Sequence, residues 1–148
     1  KMVKIENVEP LTRDTYKPNG FTALLDGIGK AIELANSKKR SWADDEKDIT
    51  VLIMTDGQEN SSKEYTKARI NSLIAQYKMY GWNFIFMGAN QDAIQTAGEF
   101  SIGQESSLTF DCENVGEAFR SASQAIKRSA NCGVFEFTQL ERAKSLQP

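Results

Sequence analysis

The chain has 148 residues, 40% of them apolar and 26% charged, the balance of one soluble folded domain with a core of its own. Its formal charge of −2 provides no long-range field to gather nucleic acid or an anionic membrane; no apolar stretch approaches the roughly 20 residues that cross a bilayer, and residues 1–10 lack the apolar core of a signal peptide. The absence of histidine excludes Ser-His-Asp and Cys-His catalysis and nearly all zinc sites, which leaves oxygen chemistry: carboxylates, hydroxyls and hard cations such as Mg²⁺.

A weak apolar segment, Val3-Lys4-Ile5, is the first candidate strand. The first helix is predicted over Thr22–Asn36, where Leu24, Leu25, Ile28, Ile32 and Ala35 share one face and Lys30 and Glu33 fall on the other. Ser37–Asp48 is polar and reads as a surface loop. Within it, Lys38, Lys39 and Arg40 beside Trp42 have the composition of a nucleic-acid contact, but Asp44, Asp45 and Glu46 cancel their charge. Those adjacent acids also lack the convergence of a cation site, so a solvated loop is the better account. Ile49–Met54 is almost continuously apolar, as expected of a strand covered on both faces inside a parallel sheet.

A second helix follows, with Ser61 and Glu64 in capping-box spacing, Ile70, Leu73, Ile74 and Tyr77 as its buried stripe, and Gly81 as its stop. Trp82–Met87 reads as the second parallel strand, Gly88-Ala89-Asn90 as its exit turn, and Asn90 as the cap of a short helix reaching Gly98, with Asp92 a further capping candidate. Leu108–Phe110 is a weaker strand. The last helix is predicted over Val115–Ser129, capped by Asn114, with Val115, Ala118, Phe119, Ala122 and Ile126 facing the core. Cys112 and Cys132 bracket it. About 15 helical residues hold their ends roughly 20 Å apart, far beyond a disulfide's reach, so two thiols are expected, in keeping with a reducing, cytoplasmic setting. Val134–Phe137 reads as a strand or a docked extension.

This alternation implies the α/β class, as a doubly wound, mostly parallel sheet with helices on both faces, in which ligands bind at the carboxyl ends of the strands. One domain is expected: an incoming connection over residues 1–19, an α/β core over 20–130 and an extension over 131–148. Three parallel strands are fewer than the five or six usual in such sheets, so the architecture reads as truncated on its N-terminal side. Were Val51–Met54 to lie at a sheet edge, its open backbone would invite pairing with another chain.

Two stretches carry the chemistry. Gly20-Phe21-Thr22-Ala23-Leu24 opens the first helix, and about thirty residues later the apolar strand ends in Thr55-Asp56-Gly57-Gln58-Glu59-Asn60. A hydroxyl at a helix start and a carboxylate at a strand end are stiffly held oxygens of the kind Mg²⁺ takes, although Thr22 alone serves as well as a helix cap and Asp56-Gly57 as a turn. Together they resemble the von Willebrand factor A (vWA) family, in which a Gly-x-Thr-Ala-Leu loop opens a helix and an apolar strand ends in Thr-Asp-Gly. The likeness extends loosely across Trp82–Asn90 to the last helix; Phe21 stands where many members carry a second glycine.

The resemblance implies a binding module, not an enzyme, with a metal-ion-dependent adhesion site at the carboxyl rim of the sheet. Thr22 and Asp56 match two of its ligands to Mg²⁺, or to Mn²⁺ or Ca²⁺ in its place. Gly20, Gly57, Gln58 and Asn90 would border the rim, and a protein ligand would offer an acidic residue to the ion. The family's Asp-x-Ser-x-Ser segment, source of three further ligands, is not in this sequence. The expectation is therefore a remnant of such a site, without the family's first strand and helix. An alternative is a metal-independent assembly protein that pairs through an exposed sheet edge with a second copy of the chain or a separately supplied N-terminal segment. A phosphoryl-transfer role for Asp56 finds no second carboxylate, phosphate-binding glycine loop or general acid in support.

Overall fold

The computed structural model describes residues 4–10, 12–15, 20–39, 49–89 and 92–147. Its frame is a parallel sheet of three strands, β1 (Thr50–Thr55), β2 (Asn83–Ala89) and β3 (Ser107–Phe110), in the order β1-β2-β3. Parallel neighbours need long crossovers. Helix α2 (Lys67–Met79) joins β1 to β2 and α3 (Ala93–Gly98) joins β2 to β3, while α1 (Leu24–Lys39) precedes β1 and α4 (Val115–Cys132) and α5 (Gln139–Ser145) follow β3. The α/β class expected from the alternation is the class found.

Pleating sends alternate side chains to opposite faces and divides the core in two. Ile53, Phe84 and Phe86 point to one face, where Leu25, Ile28 and Ile32 of α1 and Ile70, Leu73 and Ile74 of α2 close over them. Ile85, Met87, Ala89, Leu108 and Phe110 point to the other, where Ala118, Ala122 and Ala125 of α4 and the tail residues Phe135 and Phe137 cover them. The stripes read from helical spacing in α1 and α2 are thus the ones buried, with Leu24, Ala35 and Tyr77 at their margins.

The two edges of the sheet differ. Along β3, Arg142 donates to Ser107 O and Gln104 O, both at 2.6 Å, Asp111 N donates to Ser145 O at 2.9 Å, and Phe137 N donates to Glu105 O at 2.9 Å, so the tail and α5 seal that side. The seal is pinned by Glu141, buried at 5% exposure, which accepts from both guanidinium nitrogens of Arg128 at 2.6 and 2.8 Å and completes a capping box with Thr138. β1 ends the sheet on the other side, and among the described residues no strand pairs with its outer edge.

Several expectations need correction. Ile49–Met54 is not covered on both faces: Val51 and Ile53 face α1 and α2, but Leu52 and Met54 remain 37% and 38% exposed, because α4 lies over β2 and β3 and stops short of β1. Lys4 and Ile5 form no strand, since Ile5–Asn7 is a single 3₁₀ turn; Val3 lies outside the described residues. Helix α2 starts not at Ser61 but after Thr66, whose side chain accepts from Arg69 N at 3.2 Å. The short helix α3 is capped by Asp92, which accepts from Gln95 N at 3.0 Å; Asn90 lies outside the described residues. Helix α4 is rolled relative to the predicted face. It buries Ala118, Ser121, Ala122 and Ala125, small residues that let it approach the sheet closely, and leaves Phe119 at 45% and Ile126 at 37% exposure. Asn114 precedes α4, yet its amide donates to Lys144 O at 2.7 Å and so ties down the tail instead of capping.

Of the predicted Ser37–Asp48 loop, Ser37–Lys39 continue α1, and Arg40, Trp42, Asp44, Asp45 and Glu46 lie outside the described residues. The segment Val134–Phe137 is a docked extension and not a strand, with Phe135 and Phe137 edge to face at 5.4 Å. No disulfide joins Cys112 and Cys132, which are both exposed. Among the described residues no helix is long and apolar enough to cross a membrane.

Candidate functional site

The carboxyl ends of the strands meet the start of α1, and the loop from Asp56 to Thr66 runs between them. Main-chain amides at a helix start lack intrahelical acceptors, and this loop supplies them. Glu59 Oε2 accepts from Leu25 N at 2.9 Å and from Ser62 Oγ at 2.7 Å, while its Oε1 accepts from Ser61 N at 2.9 Å and Ser62 N at 2.8 Å. Ser62 Oγ also accepts from Asp26 N at 3.1 Å. The bridge is reciprocal: Asp26, in the first turn of α1, accepts from Lys63 N, Glu64 N and Tyr65 N, each at 2.9 Å.

Two carboxylates thus lock helix and loop together. Burial opposes the charge on Glu59, but donated hydrogen bonds from Ser62, Leu25 and Ser61 outweigh it and hold its pKa at about 2. The amides of Lys63, Tyr65 and Glu64 likewise hold Asp26 below the usual carboxylate range. Neither group is spare. Sequence reading missed both; the one legible hint is an acid standing two and three residues ahead of Ser61 and Ser62.

Beside this lock, Thr22 is set against Gly57, the residue that follows Asp56. Thr22 N donates to Asn60 Oδ1 at 2.9 Å and Asn60 N donates back to Thr22 O at 3.0 Å. This places the Thr22 hydroxyl against Gly57, where an added methyl group would lie only 3.1 Å from Oγ1. Asp56 immediately precedes Gly57 and is exposed. The helix-cap account of Thr22 fails: α1 begins at Leu24 with Glu59 and Ser62 as its acceptors, and the Thr22 hydroxyl makes no hydrogen bond among the described residues. The Asp56 carboxylate likewise has no hydrogen-bond or ion-pair partner among them. Thr55 shapes the turn, its hydroxyl donating to Gly57 O at 2.7 Å and accepting from Gly57 N at 3.2 Å.

Two clefts flank this point. One, of about 290 Å³, lies toward α3 and is lined by Leu24, Gln58, Glu59, Asp92, Thr96 and Glu99 among others. Its acids are engaged, Glu59 as above, Asp92 as the α3 cap and Glu99 with Lys67 at 2.6 Å. The other, of about 280 Å³, lies toward α4, with Met54, Asp56, Ala89, Phe110, Cys112 and Val115 on its walls. Of the predicted rim, Gln58 is exposed beside Asp56, and Gly20 is exposed with φ +41°, a left-handed backbone suited to glycine.

The donor set does not fit a resident Mg²⁺, Mn²⁺ or Ca²⁺. One hydroxyl and one carboxylate are far short of about six oxygens, and no group of three or more Asp, Glu, Cys or His able to hold an ion occurs among the described residues. Comparison with known proteins adds nothing to this geometry: no family model, curated protein or solved structure matches the chain.

Proposed function

We propose that the chain is a protein-binding module of the vWA type, a doubly wound sheet that engages its partner at the rim carrying Thr22, Asp56, Gly57 and Gln58. One observation carries this reading. Around a loop whose neighbours Asp26 and Thr55 and whose own Glu59, Asn60 and Ser62 are all engaged in internal hydrogen bonds, the side chains of Thr22 and Asp56 have no partner among the described residues. Neighbours fixed by hydrogen bonds hold Thr22 against Gly57, the residue after Asp56, and a fixed scaffold of this kind is suited to presenting a binding site. Contact is direct, through the hydroxyl and the carboxylate. A divalent ion, and an acidic partner residue to complete it, would enter only where other chains bring the missing oxygens.

A photo-crosslinking amino acid in place of Gln58, in the native cell, tests the reading. A discrete adduct with another polypeptide is expected, lost on Asp56→Ala and on Thr22→Val and retained when the crosslinker is kept and Met79, on α2 and 86% exposed, is changed to Ala. An adduct indifferent to both rim substitutions would sink it. Calorimetric titration of the chain alone with Mg²⁺ is expected to give no saturable heat at millimolar concentrations.

A second reading, metal-independent assembly through a sheet edge, is favoured by the position of β1 at the end of the sheet with Leu52 and Met54 uncovered. Backbone donors and acceptors on such an edge accept an added strand.

A further inference from the structure

The hydrogen bonds of β1 define what its outer edge offers. Asn83 N donates to Ile49 O at 2.8 Å, so in the parallel register Ile49, Val51 and Ile53 turn their main-chain groups toward β2. Successive residues of a strand face opposite ways, which directs the N–H and C=O of Thr50, Leu52 and Met54 outward, and among the described residues nothing pairs with them. The strand has no charge, proline or glycine to deter pairing. The helix above it looks the same way. Gly29 and Glu33 of α1 meet Tyr65, on the side of α2. Gly27, Ala31 and Leu34, at i, i+4 and i+7, make the opposite flank; all three are exposed, and a side chain added at Gly27 would meet open space. With α1 packed on β1 and α2 on β2, that flank overlooks the β1 edge.

We infer that the β1 edge pairs with a second copy of the chain, the two β1 strands running antiparallel about a two-fold axis at Leu52. The inference rests on the assembly reading and leaves the rim free. An axis perpendicular to the sheet keeps the two α1 helices on one face and the two α4 helices on the other. It sets Leu52 opposite Leu52 of the second copy and Thr50 opposite Met54. Three pairs, each exchanging two hydrogen bonds, then satisfy every outward group of the strand, and no like charges oppose one another. On the α1 face the two small-residue flanks confront each other, and small side chains let helix axes come close. Other occupants answer only part of this surface. A strand of a foreign polypeptide satisfies the main chain but leaves Gly27, Ala31 and Leu34 facing water, and a helix leaves the main chain open. Two sheets of three strands also join as one of six, within the usual range for the class, with the covered β3 edge on both outer sides.

Sedimentation velocity of the whole chain over a range of concentrations tests the pairing. A monomer–dimer equilibrium is expected, with no larger species. Leu52→Lys puts like charges on the axis and is expected to raise the dissociation constant at least about tenfold, as is Leu52→Glu, whereas an equimolar mixture of the two variants regains the dimer. Leu52 is already exposed, so both are expected to keep the parent circular dichroism. Gly27→Gln fills open space within one copy and is expected to weaken the dimer without loss of fold, and Asp56→Ala to leave it unchanged. In amide exchange followed by NMR, dilution is expected to expose Thr50, Leu52 and Met54 and to spare Val51 and Ile53. Growth beyond a dimer, indifference to Leu52→Lys, loss on Asp56→Ala, or no recovery on mixing overturns the inference. So does a monomer at every concentration. If a synthetic Val-Thr peptide then protects the Thr50, Leu52 and Met54 amides of that monomer, the assembly reading survives the inference; if it does not, both fall.

Discussion

Glu59 is the residue on which the rim depends. It satisfies a first-turn amide of α1, at Leu25, and two loop amides at once, so its protonation loosens α1 and the loop together. Its folded pKa of about 2 lies below the ordinary glutamate value of 4.5, so its contribution to stability is lost on acidification. The stabilisation is fully present above pH 4.5 and is lost as pH falls toward 2, by an amount on the order of 2 kcal/mol. Glu59→Gln should remove most of that acid dependence and lower stability at pH 7 by a similar amount, measured by urea unfolding across pH. A variant that retained the wild-type pH slope would assign the effect elsewhere. Gly29 shows the same economy of space: a methyl group there would stand 2.4 Å from the Tyr65 ring, whose hydroxyl donates to Glu33, so Gly29→Ala is expected to expel the ring and cost roughly 1–3 kcal/mol.

At the scale of elements, caps distinguish the competing starts of α2. Thr66→Ala should cost about 1 kcal/mol in thermal or urea unfolding. Ser61→Ala should be close to neutral, because Ser61 contributes its main-chain amide and no capping hydroxyl. Helical spacing found every long helix and the right stripe wherever the stripe is made of large residues, as with Ile28 and Ile32 or Ile70 and Ile74. It failed on α4, because weighting by size favoured Phe119 and Ile126 over Ala118, Ser121 and Ala125. Which arc a helix buries there depends on how near the sheet it must come. The Ile49–Met54 run was legible as a strand but not as a terminal one, since the period of a strand says nothing about its neighbours. Thr22 and Asp56 were legible as candidates from two motifs. The carboxylate lock between α1 and the loop after β1 was not, as its cross-links join residues 34 to 39 positions apart and go to main-chain amides.

For the molecule as a whole, the tail is what makes the two sides of the sheet unequal. Burial raises the energy of charged Glu141, but Arg128 and Thr138 more than compensate and hold its pKa below the ordinary value. Its contribution is therefore present at neutral pH and lost on acidification. Glu141→Ala leaves the guanidinium of Arg128 without that acceptor in a part-buried setting, and a loss of roughly 3 kcal/mol is expected. Limited proteolysis should then cut after Gly133, where the wild-type chain resists; unchanged resistance would mean that Phe135 and Phe137 hold the tail unaided. The seal has a consequence for stoichiometry. Head-to-tail growth of sheets into filaments requires two competent borders on each subunit, and here Arg142 and α5 occupy one of them. A chain added beside β1 would therefore end the assembly at a single addition, so an edge with the makings of an aggregation nucleus would be limited to one-to-one pairing.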